Sequence, residues 1–202
     1  MPLLSDRVRD QTPWIQLSIE SVLVVLSVLL ALALNAWYDH SQEQEKVERA
    51  LRSLYAELTE TQSALENRIP YHAALIDTMR SDDLSFQAPL ALQFAVPNDE
   101  AWQTAQQTGT VGLMSYELAR PISNAYAVAS DLEFLFRNSY SLLFDGPNYL
   151  GADPEQVRGF WGYLNDYKNL EVRLLDRVNR ALSAIEAEHP ALKSSSGPTA
   201  PS

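Results

Sequence analysis

The hydrophobic pattern changes character as the chain proceeds. From Val22 to Leu34 the residues are apolar on every helical face, broken only by Ser27, and no charged residue lies between Ser21 and Tyr38. A helix that is apolar all round must be covered on all sides, by protein or by lipid. A helix from Trp14 to Trp37 is about 35 Å long, enough to cross a hydrocarbon core of roughly 30 Å. Beyond Tyr38 the pattern becomes one-sided. Val47, Leu51, Leu54, Leu58, Leu65 and, nearly in register, Ile69 recur at alternating spacings of four and three, with Thr61 filling one gap. That spacing predicts an amphipathic helix with a heptad-like seam. Neither Gly nor Pro interrupts residues 14–69, so one continuous helix is expected, ended by Pro70.

A short helix is expected over 71–80, followed by a connector, "SDDLSFQAPLALQFAVPN", that holds Pro89 and Pro97. "PNDEAWQTAQQTG" reads as a short helix: Asn98 can cap it, Asp99 and Glu100 complement its positive end, and Gly109 stops it. The next helix is expected from about Ser115 to Phe136 or Leu143, with Pro121 bending it or resetting its start. "FDGPNYLGADPEQ" is a turn cluster, and Asp153-Pro154-Glu155-Gln156 opens a final helix with a cap, a first-turn proline and a capping-box glutamine. That helix, roughly 154–187, carries Phe160, Leu164, Tyr167, Leu174, Val178, Leu182 and Ile185 on one side. The tail "KSSSGPTAPS" has a disordered composition. The fold expected is all-α, with an N-terminal transmembrane helix continuing into an antiparallel bundle of about four main helices. The expected divisions are an N-terminal segment 1–13, a transmembrane helix 14–38, an acidic helical domain 39–190 and a disordered tail 191–202.

The apolar run admits two other readings. Arg7 and Arg9 ahead of it and Ala31-Leu32-Ala33 near its end resemble a cleaved signal sequence, and a soluble core helix passes the same hydropathy test. Helix-forming residues continue straight through "ALALNAWYDHSQEQEKVERALRSLY", which favours an anchor. Trp14 at one end, and Trp37 with Tyr38 at the other, are spaced as interfacial aromatic anchors. Arg7 and Arg9 stand close on the amino side, whereas Lys46, Arg49 and Arg52 are further off on the other. The positive-inside rule then predicts a single-pass protein with a cytoplasmic N-terminus and its helical domain outside the inner membrane, in a periplasm.

Composition narrows the chemistry. With a formal net charge of -11 and basic residues interleaved with acidic ones, the chain has no concentrated basic face for nucleic acid. The absence of cysteine removes disulfides, thiolate metal sites and cysteine nucleophiles. His40, His72 and His189 are far apart, and no His-Glu-x-x-His spacing occurs. Pairs such as Asp82-Asp83 and Asp99-Glu100, and the nearby Asp131 and Glu133, lack the converging oxygen ligands of a cation site. No phosphate loop or nucleophile elbow occurs. No enzyme activity, metal or cofactor is expected, and whether a small-molecule ligand binds is left open.

Two polar residues mark the ends of the apolar run, in the pattern E-x10-A-L-x-x-N-x-W formed by Glu20, Ala31, Leu32, Asn35 and Trp37. This pattern resembles a family of uncharacterised bacterial membrane proteins that begin with one span and continue as a helical domain. A weaker likeness covers "AWQTAQQTGTVGLMSYEL". The resemblance implies membrane attachment and a helical body, and implies no activity. An ionisable group in a span is a functional-site candidate. Glu20 and Asn35 can contact a partner span, or lie hydrated near the interfaces, Glu20 being about 9 Å inside Trp14. Trp102 with Gly109 and Gly112, and "GFWGYLNDY" with Phe160, Trp161, Tyr163 and Tyr167, can line a pocket or simply pack, with Gly159 and Gly162 permitting close helix approach. The function expected is that of a membrane-anchored helical interaction or scaffold protein, touching the lipid bilayer and a protein partner or further copies of itself. The alternative is a ligand-sensing helical domain that signals through a partner membrane protein.

Overall fold

The computed structural model describes residues 12–80, 96–144 and 154–195, with side chains described over 18–78, 96–138 and 161–193. Every regular element among them is helical, in the order α1 (Thr12–Arg80), α2 (Glu100–Gln107), a 3-10 turn (Thr110–Leu113), α3 (Tyr116–Phe144), α4 (Pro154–Glu188) and α5 (Pro190–Ser195). The chain divides into two units, Met1–Lys46 and Val47–Ser202. The connector 81–95 and the turn cluster 145–153 lie outside the described residues.

In the first unit the described residues form only helix. Its apolar side chains from Val22 to Leu34 are exposed, and an eighteen-residue window reaches a mean hydropathy of 2.3 with none of it buried. One helix near the N-terminus is therefore long and apolar enough to cross a membrane.

The second unit is built on the expected seam and extends it. Leu51, Leu54, Leu58 and Leu65 of α1 are buried together with Leu118, Ile122, Ala125, Ala129 and Leu132 of α3 and Tyr167, Leu174, Val178, Ala181 and Ile185 of α4. Pro70 does not end α1, contrary to the sequence expectation; the helix runs through it to Arg80. A proline inside a helix costs about 3 kcal/mol through the lost hydrogen bond and ring clash. Past Pro70, Leu75 and Ile76 are buried with Leu164 of α4, and burying each such side chain contributes about 1.5–3 kcal/mol. Packing outweighs the proline.

Across α1 and α4, Tyr55 bonds Glu186 at 2.9 Å, Gln62 bonds Asn179 at 2.7 Å, and His72 meets Glu171 at 2.6 Å. Numbers on α4 descend as those on α1 ascend. α3 and α4 also pack against each other.

The local punctuation follows its chemistry. The cap of α2 is Asp99 rather than the expected Asn98, and its own side chain makes no cap bond. The Asn98 side chain accepts the Glu100 N–H at 3.3 Å from one residue further out, and the Asp99 carbonyl accepts the Gln103 N–H at 2.9 Å. α2 stops at Gln107, and Gly109 turns the chain with φ 70°, a left-handed conformation that a side chain resists. The Ser115 hydroxyl accepts the Leu118 N–H at 3.3 Å at the start of α3, which then continues through Pro121. The tail expected to be disordered from Ala191 begins instead as α5. Leu192 is buried in the core there, and the Lys193 ammonium donates to Glu186 at 2.7 Å. The burial of Leu192, with this ion pair beside it, holds a segment too short to be helical alone. Residues 196–202 lie outside the described ones.

Candidate functional site

The polar residues of the apolar helix are placed by α1 alone. Glu20 and Asn35 are both exposed. The Asn35 amide donates to the Asp39 carboxylate at 2.9 Å, one turn further on. The Ser27 hydroxyl donates to the Leu23 carbonyl at 2.7 Å, so its polar group is satisfied within the helix. Trp37 and Tyr38 are exposed as well, and the Tyr38 hydroxyl accepts from the Gln42 amide at 3.1 Å. Trp14 lies in α1, with its side chain outside the described ones.

The expected aromatic residues fall into two settings. Trp102 of α2 is buried and stacks on Tyr126 of α3, with ring centroids 5.2 Å apart and planes 6° from parallel. Trp161 and Tyr163 are half-buried, while Tyr167 is fully buried. Trp161 packs against Leu75, Ile76 and Leu164, and Tyr167 meets His72 edge-on at 5.6 Å. Burial pushes the Tyr163 hydroxyl up to about 12. Phe160 lies in α4 with its side chain outside the described ones. The expectation that Gly162 admits a closely approaching helix is not met: a Cβ there would meet nothing within 4 Å. The side of Gly159 lies outside the described residues. Gly112 also faces open space, so of this pair it is Gly109 that conformation requires.

Two polar clusters escaped the sequence reading. In the first, Glu57 of α1 is buried and accepts the Tyr126 hydroxyl of α3 and, at 3.0 Å, the Ala101 N–H in the first turn of α2. A carboxylate at a helix start satisfies an otherwise unbonded donor and faces the positive end of the dipole. Burial, then the bond to Glu57 and its charge, push the Tyr126 hydroxyl far above the ordinary phenol range. Glu57 thus joins three helices at one point.

In the second, His72 and Glu171 are fully buried and in contact at 2.6 Å through Nδ1 and Oε2, and Arg68 Nε lies 3.6 Å from the other carboxylate oxygen. A histidine paired with a carboxylate is acid–base chemistry in form. Here neither side chain has exposed surface, so no substrate reaches the pair in this conformation. The cluster lies on the seam itself. Continuing the α1 spacing from Leu65 by three and four residues reaches Arg68 and His72, and the spacing on α4 passes through Glu171 between Tyr167 and Leu174. The signal was present, but a seam stopped at Pro70 cannot include His72. Among the described residues no group of three or more His, Asp or Glu side chains converges to hold a metal ion.

Comparison with protein-family models, with curated proteins and with solved structures gives no match.

Proposed function

We propose that this chain is a single-span, membrane-anchored helical interaction protein, with its apolar segment in a bacterial inner membrane and an acidic antiparallel bundle that engages protein partners. One observation carries the reading. Val22 to Leu26, Val28 to Leu30, Leu32 and Leu34 are each 54–65% exposed on a helix that no other described residue of the first unit covers. In lipid, ten such residues contribute about -0.3 to -0.6 kcal/mol each, or about -3 to -6 kcal/mol together. In water the same surface invites aggregation. The internal hydrogen bond of Ser27 suits a solvent that offers none.

Glu20 and Asn35 are the positions through which the span contacts a partner helix or another copy, since polar groups in lipid favour pairing. The resemblance of the Glu20–Trp37 pattern to bacterial single-span proteins points the same way, and the arginines before the span favour a cytoplasmic N-terminus. The test is fractionation of cells expressing the intact chain, followed by carbonate washing and protease protection. Retention in washed membranes with the C-terminal part digested only from the periplasmic side supports the proposal. Recovery in the soluble fraction without detergent, or a mature terminus at Leu34, refutes it.

A further inference from the structure

We infer that the buried Arg68–His72–Glu171 layer sets the register in which α1 and α4 pair. On α1 the seam reads Leu51, Leu54, Leu58, Thr61, Leu65, Arg68, His72, Leu75; on α4 it reads Leu164, Tyr167, Glu171, Leu174, Val178, Ala181, Ile185. All of these are buried, and outside the ionic layer the seam is nearly all apolar. An apolar seam with a seven-residue repeat is close to degenerate. Sliding one helix by a heptad, about 10 Å, exchanges Leu51 for Leu58 and Leu58 for Leu65 on α1, or Tyr167 for Leu174 and Val178 for Ile185 on α4, so the facing layers away from the ionic one stay largely apolar.

The ionic layer removes that degeneracy. One slip faces Glu171 with Leu65 and His72 with Leu164; the opposite slip faces His72 with Val178. Both slips part His72 from Glu171 and set them against apolar layers, and a buried charge taken from its partner is strongly disfavoured. Polar residues at single seam positions specify register in the same way in coiled coils. The other described polar contacts between α1 and α4 cannot supply equal selectivity, and the buried Glu57 junction ties α1 to α2 and α3 rather than to α4. Gln62 with Asn179 is exposed, and the Glu186 end of the Tyr55 contact is also bonded by Lys193, so water or another donor replaces either cheaply.

The chain has no cysteine, so introduced thiols report register without background. The intact protein in detergent carries Gln62→Cys with Asn179→Cys for the observed register, or with Val172→Cys or Glu186→Cys for the two displaced ones. A short bismaleimide cross-links each pair. With the layer intact, the observed pair should exceed both displaced pairs by about a hundredfold or more, the least that an unpaired buried charge imposes. With Arg68→Met, His72→Leu and Glu171→Leu together, the observed pair and at least one displaced pair should react within about threefold of each other.

A second variant covers the case in which the apolar one fails to fold. Leu164→Glu with Glu171→Leu moves the acid by one heptad, and the dominant cross-link should move to Gln62→Cys with Val172→Cys. If cross-linking stays on the 62–179 pair in either folded variant, the connections between helices set the register and the inference is overturned.

Discussion

Truncating Glu57 should have a cost that one hydrogen-bonded neighbour can partly reverse. Glu57→Ala leaves the hydroxyl of the buried Tyr126 without its acceptor and frees the Ala101 N–H at the start of α2. A buried polar group left unsatisfied costs about 1–3 kcal/mol, and the loss of a helix-start acceptor costs about 1 kcal/mol. The expected loss is therefore about 2–4 kcal/mol. For a domain of this size each kcal/mol moves Tm by about 2–4 °C, which gives a fall of about 4–16 °C. Tyr126→Phe removes the stranded hydroxyl, so the double variant Glu57→Ala/Tyr126→Phe should recover about 1 kcal/mol or more relative to additivity.

The assay is thermal unfolding of the full chain in detergent, followed by far-ultraviolet circular dichroism, with ultraviolet titration of the tyrosines beside it. Tyr126 is held neutral by burial and by Glu57, so its folded pKa lies above the unfolded value. Its contribution is fully present below about pH 10 and is lost as pH rises beyond it. Removing the carboxylate should move that titration down towards the ordinary range. A Glu57→Ala loss under about 0.5 kcal/mol, or strict additivity with Tyr126→Phe, would refute the account of Glu57 as a three-helix junction.

Other consequences are open to direct measurement. Leu29→Arg places a charge near the middle of the apolar run and should cost about 3–4 kcal/mol of membrane insertion, seen as loss from carbonate-washed membranes. Glu171→Ala should destabilise the second unit by about 3–5 kcal/mol in denaturant unfolding, while the joint apolar replacement of Arg68, His72 and Glu171 should be neutral or stabilising. Gly162→Ala should stabilise by about 0.5–1 kcal/mol because its Cβ meets open space within a helix, whereas Gly109→Ala should lose about 1–2 kcal/mol at its positive φ. Glu186 is held below its ordinary value by Lys193 and then Tyr55. Its contribution is present above the ordinary carboxylate range and is lost as pH falls through the lowered value, so Glu186→Gln should flatten the acid limb of the stability–pH curve.

Where a feature depends on neighbours along the chain, the residues disclose it. The apolar run at 22–34, the seam through Leu51, Leu54 and Leu58, the stop at Gly109 and the opening of α4 at Pro154 are each fixed by side chains within a few residues. Periodicity and backbone chemistry act over that range. The helical class and the buried face of α4 were legible for that reason.

Tertiary packing alone decided the rest. Pro70 is a local stop signal, and only the burial of Leu75 and Ile76 against Leu164 overrules it. Glu57 reads as one more exposed carboxylate until Tyr126 and Ala101, 69 and 44 residues away, close on it. His72 and Glu171 are 99 residues apart, and nothing between them reveals that their charges share one apolar layer. Local patterning selects helices because their hydrogen bonds close within one turn. Which buried charge finds which partner depends on how those helices dock, a choice made between surfaces distant in the chain.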